Sequence, residues 1–133
     1  MAATTERRIT GVGQIAVRVT DLAKGVTFYR DVLELPLLLE IPNAAFFDCG
    51  GVRLMLATPE ENEFDHPASI VYYRVGDIHE AHRTLVGRGV EFVREPHLIA
   101  KMPDHDLWMA FLRDPVGNVL ALMSEVRGER ANG

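Results

Sequence analysis

The 133-residue sequence contains a single cysteine, Cys49, and only two lysines, Lys24 and Lys101. One cysteine excludes an internal disulfide bond and a zinc site built from several cysteines, and it favours a reducing compartment. Hydrophobic residues make up 47% and charged residues 25% of the chain, the balance of an ordinary folded domain. At this length we expect one domain, or two half-domains that share a core.

Positive charge and long apolar runs are also scarce. The formal net charge of −5 argues against nucleic acid as a partner, because phosphate binding needs a basic surface. No apolar run approaches the ~18 residues that a membrane span requires, so we expect no membrane partner. The first residues, MAATTERR, lack the apolar core of a secretory signal. The cytoplasm is therefore the expected location.

The most informative feature of the sequence is an internal repeat. At an offset of 56, the segment VRVTDLAKGVTFYRDVLEL from Val17 corresponds to YRVGDIHEAHRTLVGRGVEF from Tyr73. At an offset of 66, the segment DCGGVRLML (48–56) corresponds to DPVGNVLAL (114–122). The two offsets differ because the second half carries extra residues, and we place these in EPHLIAKMPDHDLW (95–108).

Each half is predicted to fold as a strand, a helix and three further strands. The first strand, GQIAVRV, alternates apolar and other residues. Asp21 is the expected N-cap of the first helix and Pro36 its expected stop, whereas Asp77 and Glu80 form a capping box in the second half. Gly87 and Gly89 are expected to end the second helix. The remaining predicted strands are 37–41, 44–49, 52–58, 91–94, 107–113 and 118–124.

One helix can cover only one face of a four-stranded sheet, so each sheet should have an uncovered face. Alternation assigns to these faces Gln14, Ala16, Arg18, Arg53, Met55 and Ala57 in the first half, and Ile70, Tyr72, Arg74, Met109, Phe111, Val119, Ala121 and Met123 in the second. Such surfaces, apolar at the centre with arginines toward the strand ends, form either an interface between the halves or a small-molecule pocket. The guanidinium groups of Arg18 and Arg53 suit a ligand carboxylate or phosphate, or they pair with internal acids such as Glu40 and Asp48.

The histidines offer weaker signals. His79 and His82 are expected on a solvated helix face, and His66 lies in the loop that joins the halves. His97 and His105 flank the extra residues near Trp108, in a segment that can form a ligand-binding rim, a metal site with a carboxylate, or a solvated loop. Cys49 has no histidine partner in sequence, which argues against a nucleophilic role.

These segments resemble the vicinal oxygen chelate superfamily, which includes glyoxalase I, methylmalonyl-CoA epimerase, extradiol dioxygenases and bleomycin- or fosfomycin-resistance proteins. The resemblance covers residues 10–125 and rests on GQIAVRVTDLAKGVTFYRDVLEL, with its F-Y-x-D-V-L helix, and on the D-P-x-G-N turn at 114–118. It implies an α+β fold of two tandem βαβββ modules that form an open, curved, mixed β-sheet barrel with the helices outside. The first module is expected at 9–60, the linker at 61–67 and the second module at 68–126, together one glyoxalase-like domain.

The resemblance also implies where a metal would bind. In metal-using members, one ligand comes from the first and one from the last strand of each module; these positions fall on Gln14, Met55, Ile70 and Ala121. Three of these side chains cannot bind a hard divalent cation, and the methyl group of Ala121 cannot act as a general base. We therefore expect no catalytic residues and no cofactor, with a divalent metal disfavoured.

Taken together, the sequence predicts a small-molecule-binding protein of the glyoxalase/bleomycin-resistance type, a homodimer with an apolar, metal-free cavity for a small aromatic or amphiphilic molecule. The predicted ligand-binding residues are Gln14, Arg18, Arg53, Met55, Tyr72, His97, His105, Trp108, Met109, Phe111 and Met123. The alternative is a lyase-, isomerase- or dioxygenase-like enzyme with a non-standard metal or acid/base site built from His97 and His105. A third hypothesis is an interaction domain whose cavity face is covered by protein.

Overall fold

We describe the chain from a computed structural model, in which residues 8, 11–59, 67 and 69–127 are described. The first half contains β1 (Gln14–Arg18), α1 (Leu22–Thr27), β2 (Leu37–Ile41), β3 (Ala44–Cys49) and β4 (Val52–Ala57). The second half contains β5 (Val71–Arg74), α2 (Ile78–Gly87), β6 (Phe92–Lys101), β7 (Asp106–Arg113) and β8 (Val119–Val126). The predicted βαβββ repeat is confirmed. His66 and most of the expected linker lie outside the described residues.

The two halves form four-stranded mixed sheets with the same connectivity. The strand orders are β1-β4-β3-β2 and β5-β8-β7-β6. In each sheet the first strand pairs in parallel with the last, and the other pairs are antiparallel. The registers are equivalent, since Val17 lies beside Leu56 and Tyr73 lies beside Leu122. Among the described strands no pairing joins the two sheets, so the α+β fold is confirmed as two open, curved sheets rather than a closed barrel.

The first helix begins as predicted but ends differently. The Asp21 carboxylate accepts a hydrogen bond from the backbone N–H of Lys24 at 3.1 Å, which confirms the N-cap. Phe28–Val32 then form a π-helical turn, and Glu34 adopts a positive φ of 63°. The wider π turn brings the neighbouring rings of Phe28 and Tyr29 both into the core. The helical path therefore ends before Pro36, at a residue in the left-handed conformation.

The second helix follows its predicted signals. The Asp77 carboxylate accepts from the backbone N–H groups of His79 and Glu80, each at 3.1 Å. The helix ends at Gly87, and Gly89 has a φ of 91°, a conformation that glycine adopts without strain. Both ends of α2 are therefore fixed by the residues that the sequence indicates.

The extra residues of the second half lengthen a hairpin instead of forming a loop. β6 continues to Lys101 and β7 begins at Asp106, so most of the segment 95–108 is paired as strands. The predicted strand at 91–94 was too short because Pro96 interrupts the strand pattern. The structure accommodates this proline on an edge strand whose register shifts several times, and bulged edge strands tolerate proline.

One core lies between the two modules. The residues assigned by alternation to the helix-covered faces are buried, among them Val17, Leu54, Leu56, Leu120 and Leu122, and they belong to a single cluster. We call these the inner faces of the two sheets, and the opposite ones the outer faces. Because the inner faces share one core, the outer faces point away from it. No helix of the described part of the chain is long and apolar enough to cross a membrane.

Polar contacts join the halves at the edge of this core. The buried Tyr29 hydroxyl donates to Oδ2 of Asp114 at 3.0 Å, and Nδ2 of Asn118 donates to the carbonyl oxygen of Arg18 at 2.7 Å. Arg88 donates to the carbonyl oxygen of Val32 at 2.7 Å and to the Glu34 carboxylate at 2.6 Å. Burial raises the pKa of Tyr29, and the neighbouring Tyr73 and Asp114 raise it further, so this phenol remains a hydrogen-bond donor.

Candidate functional site

The outer face of the first sheet carries an arginine held beside an amide and an aromatic ring. Nε of Arg53 donates to Oε1 of Gln14 at 2.8 Å, and the guanidinium carbon lies 5.6 Å from the centre of the Phe46 ring. Nε2 of Gln14 approaches the sulfur of Met55 at 3.8 Å. Phe46 was not among the predicted site residues, although its alternation with the buried Phe47 indicates the outer face. This cluster presents an ordered cation on a partly apolar surface.

The outer face of the second sheet is aromatic and sulfur-rich. The rings of Tyr72 and Phe111 meet edge to face with their centres 6.1 Å apart. Ala121 lies beside both residues in the strand register and is fully buried, so its small side chain lets the two rings approach. Met109 and Met123 are neighbours in the same register, and both are half-buried. The structure thus brings together four of the predicted site residues of this sheet.

His97 joins this second face. It lies opposite Met109 in the register, and its ring centre is 6.5 Å from that of Phe111. Its Nδ1 is 2.8 Å from the carbonyl oxygen of Glu95. Because a carbonyl can only accept a hydrogen bond, we assign the proton to Nδ1, which leaves a lone pair on Nε2 in the neutral ring. His97 can therefore accept one hydrogen bond from a ligand.

His105 lies elsewhere, at the tip of the β6–β7 hairpin. Its Nδ1 is 2.7 Å from the carboxylate of Asp104, and this hydrogen bond lowers the pKa of Asp104. At ~3.3 Å per strand residue, His105 is about 13 Å along the strand from Met109, the partner of His97. The described residues contain no group of three or more His, Cys, Asp or Glu side chains that could hold a metal ion. The structure therefore does not bring His97 and His105 together.

Two other predicted site residues lie apart from these clusters. The Trp108 ring contacts the His79 ring at 5.1 Å between centres, so Trp108 lies on the inner face, covered by α2. Trp108 alternates in β7 with the same period as the buried Ala110 and Leu112, and this alternation indicates the inner face. The side chain of Arg18 is half-buried at the end of β1. His79 thus packs on an aromatic ring as well as lying at the surface.

The four positions that correspond to metal ligands do not fit a hard divalent cation. Among Gln14, Met55, Ile70 and Ala121, only Gln14 carries an oxygen, and that oxygen accepts a hydrogen bond from the positively charged Arg53. A divalent cation at this point would be repelled by the guanidinium. Ala121 is buried and Ile70 is exposed, and both offer only hydrocarbon.

Paired βαβββ modules with open outer faces define the class of protein to which this chain belongs. The family model described as Glyoxalase/Bleomycin resistance protein/Dioxygenase superfamily matches residues 11–122. Since the match spans most of the chain, the protein is a member of that superfamily.

Individual relatives agree with this assignment. Metallothiol transferase FosB from Staphylococcus haemolyticus (strain JCSC1435) is 40% identical over 48 residues, which are 36% of this chain and 34% of FosB. The match thus spans about a third of the length of that curated relative. A superfamily member from Sphaerobacter thermophilus DSM 20745 superposes with a TM-score of 0.73 at 26% identity, over 90% of this chain and 100% of that one. Lactoylglutathione lyase from Agrobacterium tumefaciens gives a TM-score of 0.70 at 22% identity, over 89% and 96% of the two chains.

Proposed function

We propose that this protein binds a small aromatic or amphiphilic molecule that bears an acidic group, and that it does so without a metal, between the outer faces of two subunits. The observation that carries this proposal is the complementarity of the two outer faces. The first offers a positioned arginine, and the second offers exposed aromatic and thioether side chains. A pocket that is mainly apolar with a few oriented polar groups is the usual form of a small-molecule site.

The acidic group of the ligand is inferred from Arg53. Among the described residues Arg53 forms no ion pair, and neither Glu40 nor Asp48 pairs with it. Within the described part of the chain, the side chain of Arg53 makes one hydrogen bond, from Nε to Gln14. The terminal nitrogens therefore have donors to spare in a planar fork, which matches the geometry of a carboxylate.

The apolar part of the ligand is inferred from the second sheet. Tyr72 leaves 46% of its surface exposed, although its ring packs against that of Phe111. Aromatic rings in offset or edge contact accept further rings in the same geometry, and each such contact contributes about 0.5–1.5 kcal/mol beyond area burial. His97 adds one hydrogen-bond acceptor at the border of this surface.

A second copy of the chain is part of the proposal because the outer faces point away from their shared core. One chain therefore cannot close both faces over one ligand. The edge strand β2 supports this idea, since Leu38, Leu39 and Ile41 expose 58%, 56% and 40% of their surface. Light scattering coupled to size-exclusion chromatography should give a dimer, and Leu39→Glu should shift it toward monomer. Val86→Glu, at an exposed apolar position on α2, is the matched control and should remain dimeric.

The absence of a metal in the proposed site follows from the donor set described above. FosB is named a metallothiol transferase, so metal-dependent chemistry is the competing hypothesis. A lyase- or isomerase-like enzyme would need His97 or another group to supply the ligands that Met55, Ile70 and Ala121 cannot. The cytoplasm remains the proposed compartment.

The test compares 1-naphthoate with its methyl ester by isothermal titration calorimetry, in buffer with and without EDTA. Arg53→Met keeps an unbranched apolar side chain and removes the guanidinium with its charge. It should weaken 1-naphthoate about 10- to 100-fold, the effect of a charged hydrogen bond of about 1.5–3 kcal/mol, and leave the ester unchanged. Arg30→Met is the control, because Arg30 pairs with Asp31 in the π-helical turn and lies away from the outer face.

If 1-naphthoate binds Arg53→Met as tightly as it binds the wild type, Arg53 does not bind the acidic group of the ligand. Stoichiometric metal in protein purified without chelator, lost on changing Gln14 or His97 to alanine, would refute metal-free binding and favour the enzyme.

A further inference from the structure

An open space lies on the inner side of the two sheets, apart from Arg53 and Gln14 of the first outer face. It is a cleft of about 820 Å³ between the inner faces of the two modules. The first module contributes residues of β1, β4 and the segment after the π-helical turn, and the second contributes β5 and one side of α2. This volume falls within the range of ~300–1,000 Å³ that is usual for small-molecule pockets. We call it the inter-module cleft.

The lining of the inter-module cleft is mainly aliphatic. It includes Ile15, Leu54, Val71, Leu85 and Leu122. The ion pair between Arg88 and Glu34 lies at its border, with 2.6 Å between nitrogen and oxygen. Arg74 and Glu80 also border the cleft and are exposed to solvent. The interior of the cleft is therefore uncharged, and its ionic groups are paired or hydrated.

One polar atom in the cleft lacks a partner. The Tyr73 hydroxyl is buried and makes no hydrogen bond with the described residues. Tyrosine hydroxyls that leave water normally find a partner, and an unsatisfied buried polar group costs about 1–3 kcal/mol. Tyr73 is held in this position because it follows the outward-pointing Tyr72 in β5, so its ring must point inward. The strand thus places an unpaired hydrogen-bonding group in the wall of an apolar space.

Cys49 lines the same cleft, where burial and the neighbouring Cys49 thiol both raise the pKa of Tyr73. Burial also raises the pKa of Cys49, so both groups remain neutral near pH 7. A charged ligand would lose its hydration here without gaining a counter-charge.

We propose that the inter-module cleft is a second binding site, for a neutral, mainly apolar small molecule with a carbonyl or similar acceptor that receives a hydrogen bond from the Tyr73 hydroxyl. Arg53 and Gln14 do not line the cleft, so this site does not depend on the positioned arginine of the outer faces. Its occupant differs in chemistry from the acidic ligand proposed for them.

The test uses prodan, a neutral naphthalene ketone whose fluorescence shifts to the blue in apolar surroundings. Saturable binding should protect Cys49, the only cysteine of the chain, from alkylation by N-ethylmaleimide, as measured by mass spectrometry. Tyr73→Phe removes only the hydroxyl and should weaken prodan about three- to tenfold, the loss of one neutral hydrogen bond. Thr58→Val removes a hydroxyl that lies outside the cleft, where it donates to the carbonyl oxygen of Asn43, and should leave the affinity unchanged.

A second variant fills the cleft. Ala81 lines it from α2 and is half-buried, so Ala81→Phe should prevent binding while circular dichroism confirms the fold. Prodan that binds without protecting Cys49, or equally well to Tyr73→Phe, occupies another surface and would overturn the assignment. Absence of saturable binding would overturn it as well. None of these outcomes affects the 1-naphthoate result, which depends on Arg53.

Discussion

Removal of the Asp114 carboxylate should be among the most destabilising single changes where the two modules meet. Asp114 is 5% exposed and follows β7 in the D-P-x-G-N turn. Its Oδ1 accepts from the backbone N–H groups of Val116 and Asn118 at 3.0 and 2.9 Å. Its Oδ2 accepts from the Tyr29 hydroxyl at 3.0 Å and from Nδ2 of Asn118 at 2.9 Å. Asp114→Ala removes the acceptor of all these bonds at once.

The cost can be worked out from the donors that remain. The Tyr29 hydroxyl is buried and cannot reach water, so it bears the full penalty of about 1–3 kcal/mol for an unsatisfied group. The donors of Val116 and Asn118 are only partly buried and can recruit water. We therefore expect a loss of about 3–4 kcal/mol, a large part of the ~5–15 kcal/mol that stabilises a typical domain.

The repeat supplies a matched control. Asp48 occupies the corresponding position in the first half, but it is exposed and accepts a single hydrogen bond, from Gly51 at 3.2 Å. Asp48→Ala should cost about 0.5 kcal/mol, within the range of an exposed hydrogen bond. Urea unfolding followed by circular dichroism measures both variants, with the slope of the transition checked for two-state behaviour.

A double-mutant cycle separates the Tyr29 contact from the rest. Tyr29→Phe should cost about 1 kcal/mol in the wild type but recover about 1–3 kcal/mol in the Asp114→Ala background, where it removes a buried hydroxyl that has no acceptor. If Asp114→Ala and Asp48→Ala unfold within 1 kcal/mol of each other, the buried network does not stabilise the protein and this reasoning is wrong.

Two further predictions concern pH and the backbone. Burial raises the pKa of Tyr29 and Tyr73 above that of a free phenol, so the folded state keeps protons that the unfolded chain releases above pH ~10. These two groups should therefore leave the free energy of unfolding unchanged below pH ~10. Above pH ~10, the free energy of unfolding should fall by about 1.4 kcal/mol per pH unit for each tyrosine. In the Tyr29→Phe variant, the free energy of unfolding should fall less steeply with pH. Gly87→Ala should stabilise the protein by about 0.5–1 kcal/mol, because a Cβ there meets no atom within 4 Å. Gly89→Ala should destabilise it by about 1 kcal/mol, because Gly89 has a φ of 91°. Thermal unfolding measures both variants, and unfolding temperatures that shift in the same direction for Gly87→Ala and Gly89→Ala would contradict these two predictions.

The fold could be predicted because its signals are local and occur twice. Alternation in β1, β4, β5 and β8 assigns the inner and outer faces correctly, and Asp21 and Asp77 mark where the helices begin. The full length of the β6–β7 hairpin could not be predicted, because Pro96 and the charged residues around it are not typical of a strand. This segment forms a strand because it pairs with β7.

The candidate site was only partly predictable, because parity does not show which side chains meet. Tyr72, Phe111, Met109 and His97 share one surface, as their positions indicate. His105 does not join them, since the hairpin extends it beyond the cluster. The hydrogen bond from Arg53 to Gln14 depends on the register between β1 and β4, which no local pattern specifies.

The contact between Asn118 and Arg18 has a consequence for synthesis of the protein. These residues are 100 positions apart, and Tyr29 and Asp114 are 85 apart. When the first module leaves the ribosome, its apolar inner face and its tyrosine have no partner until the last strand has been translated. We therefore expect the nascent chain to expose an uncovered apolar face for most of its synthesis, and premature termination before residue 114 should yield an aggregation-prone fragment.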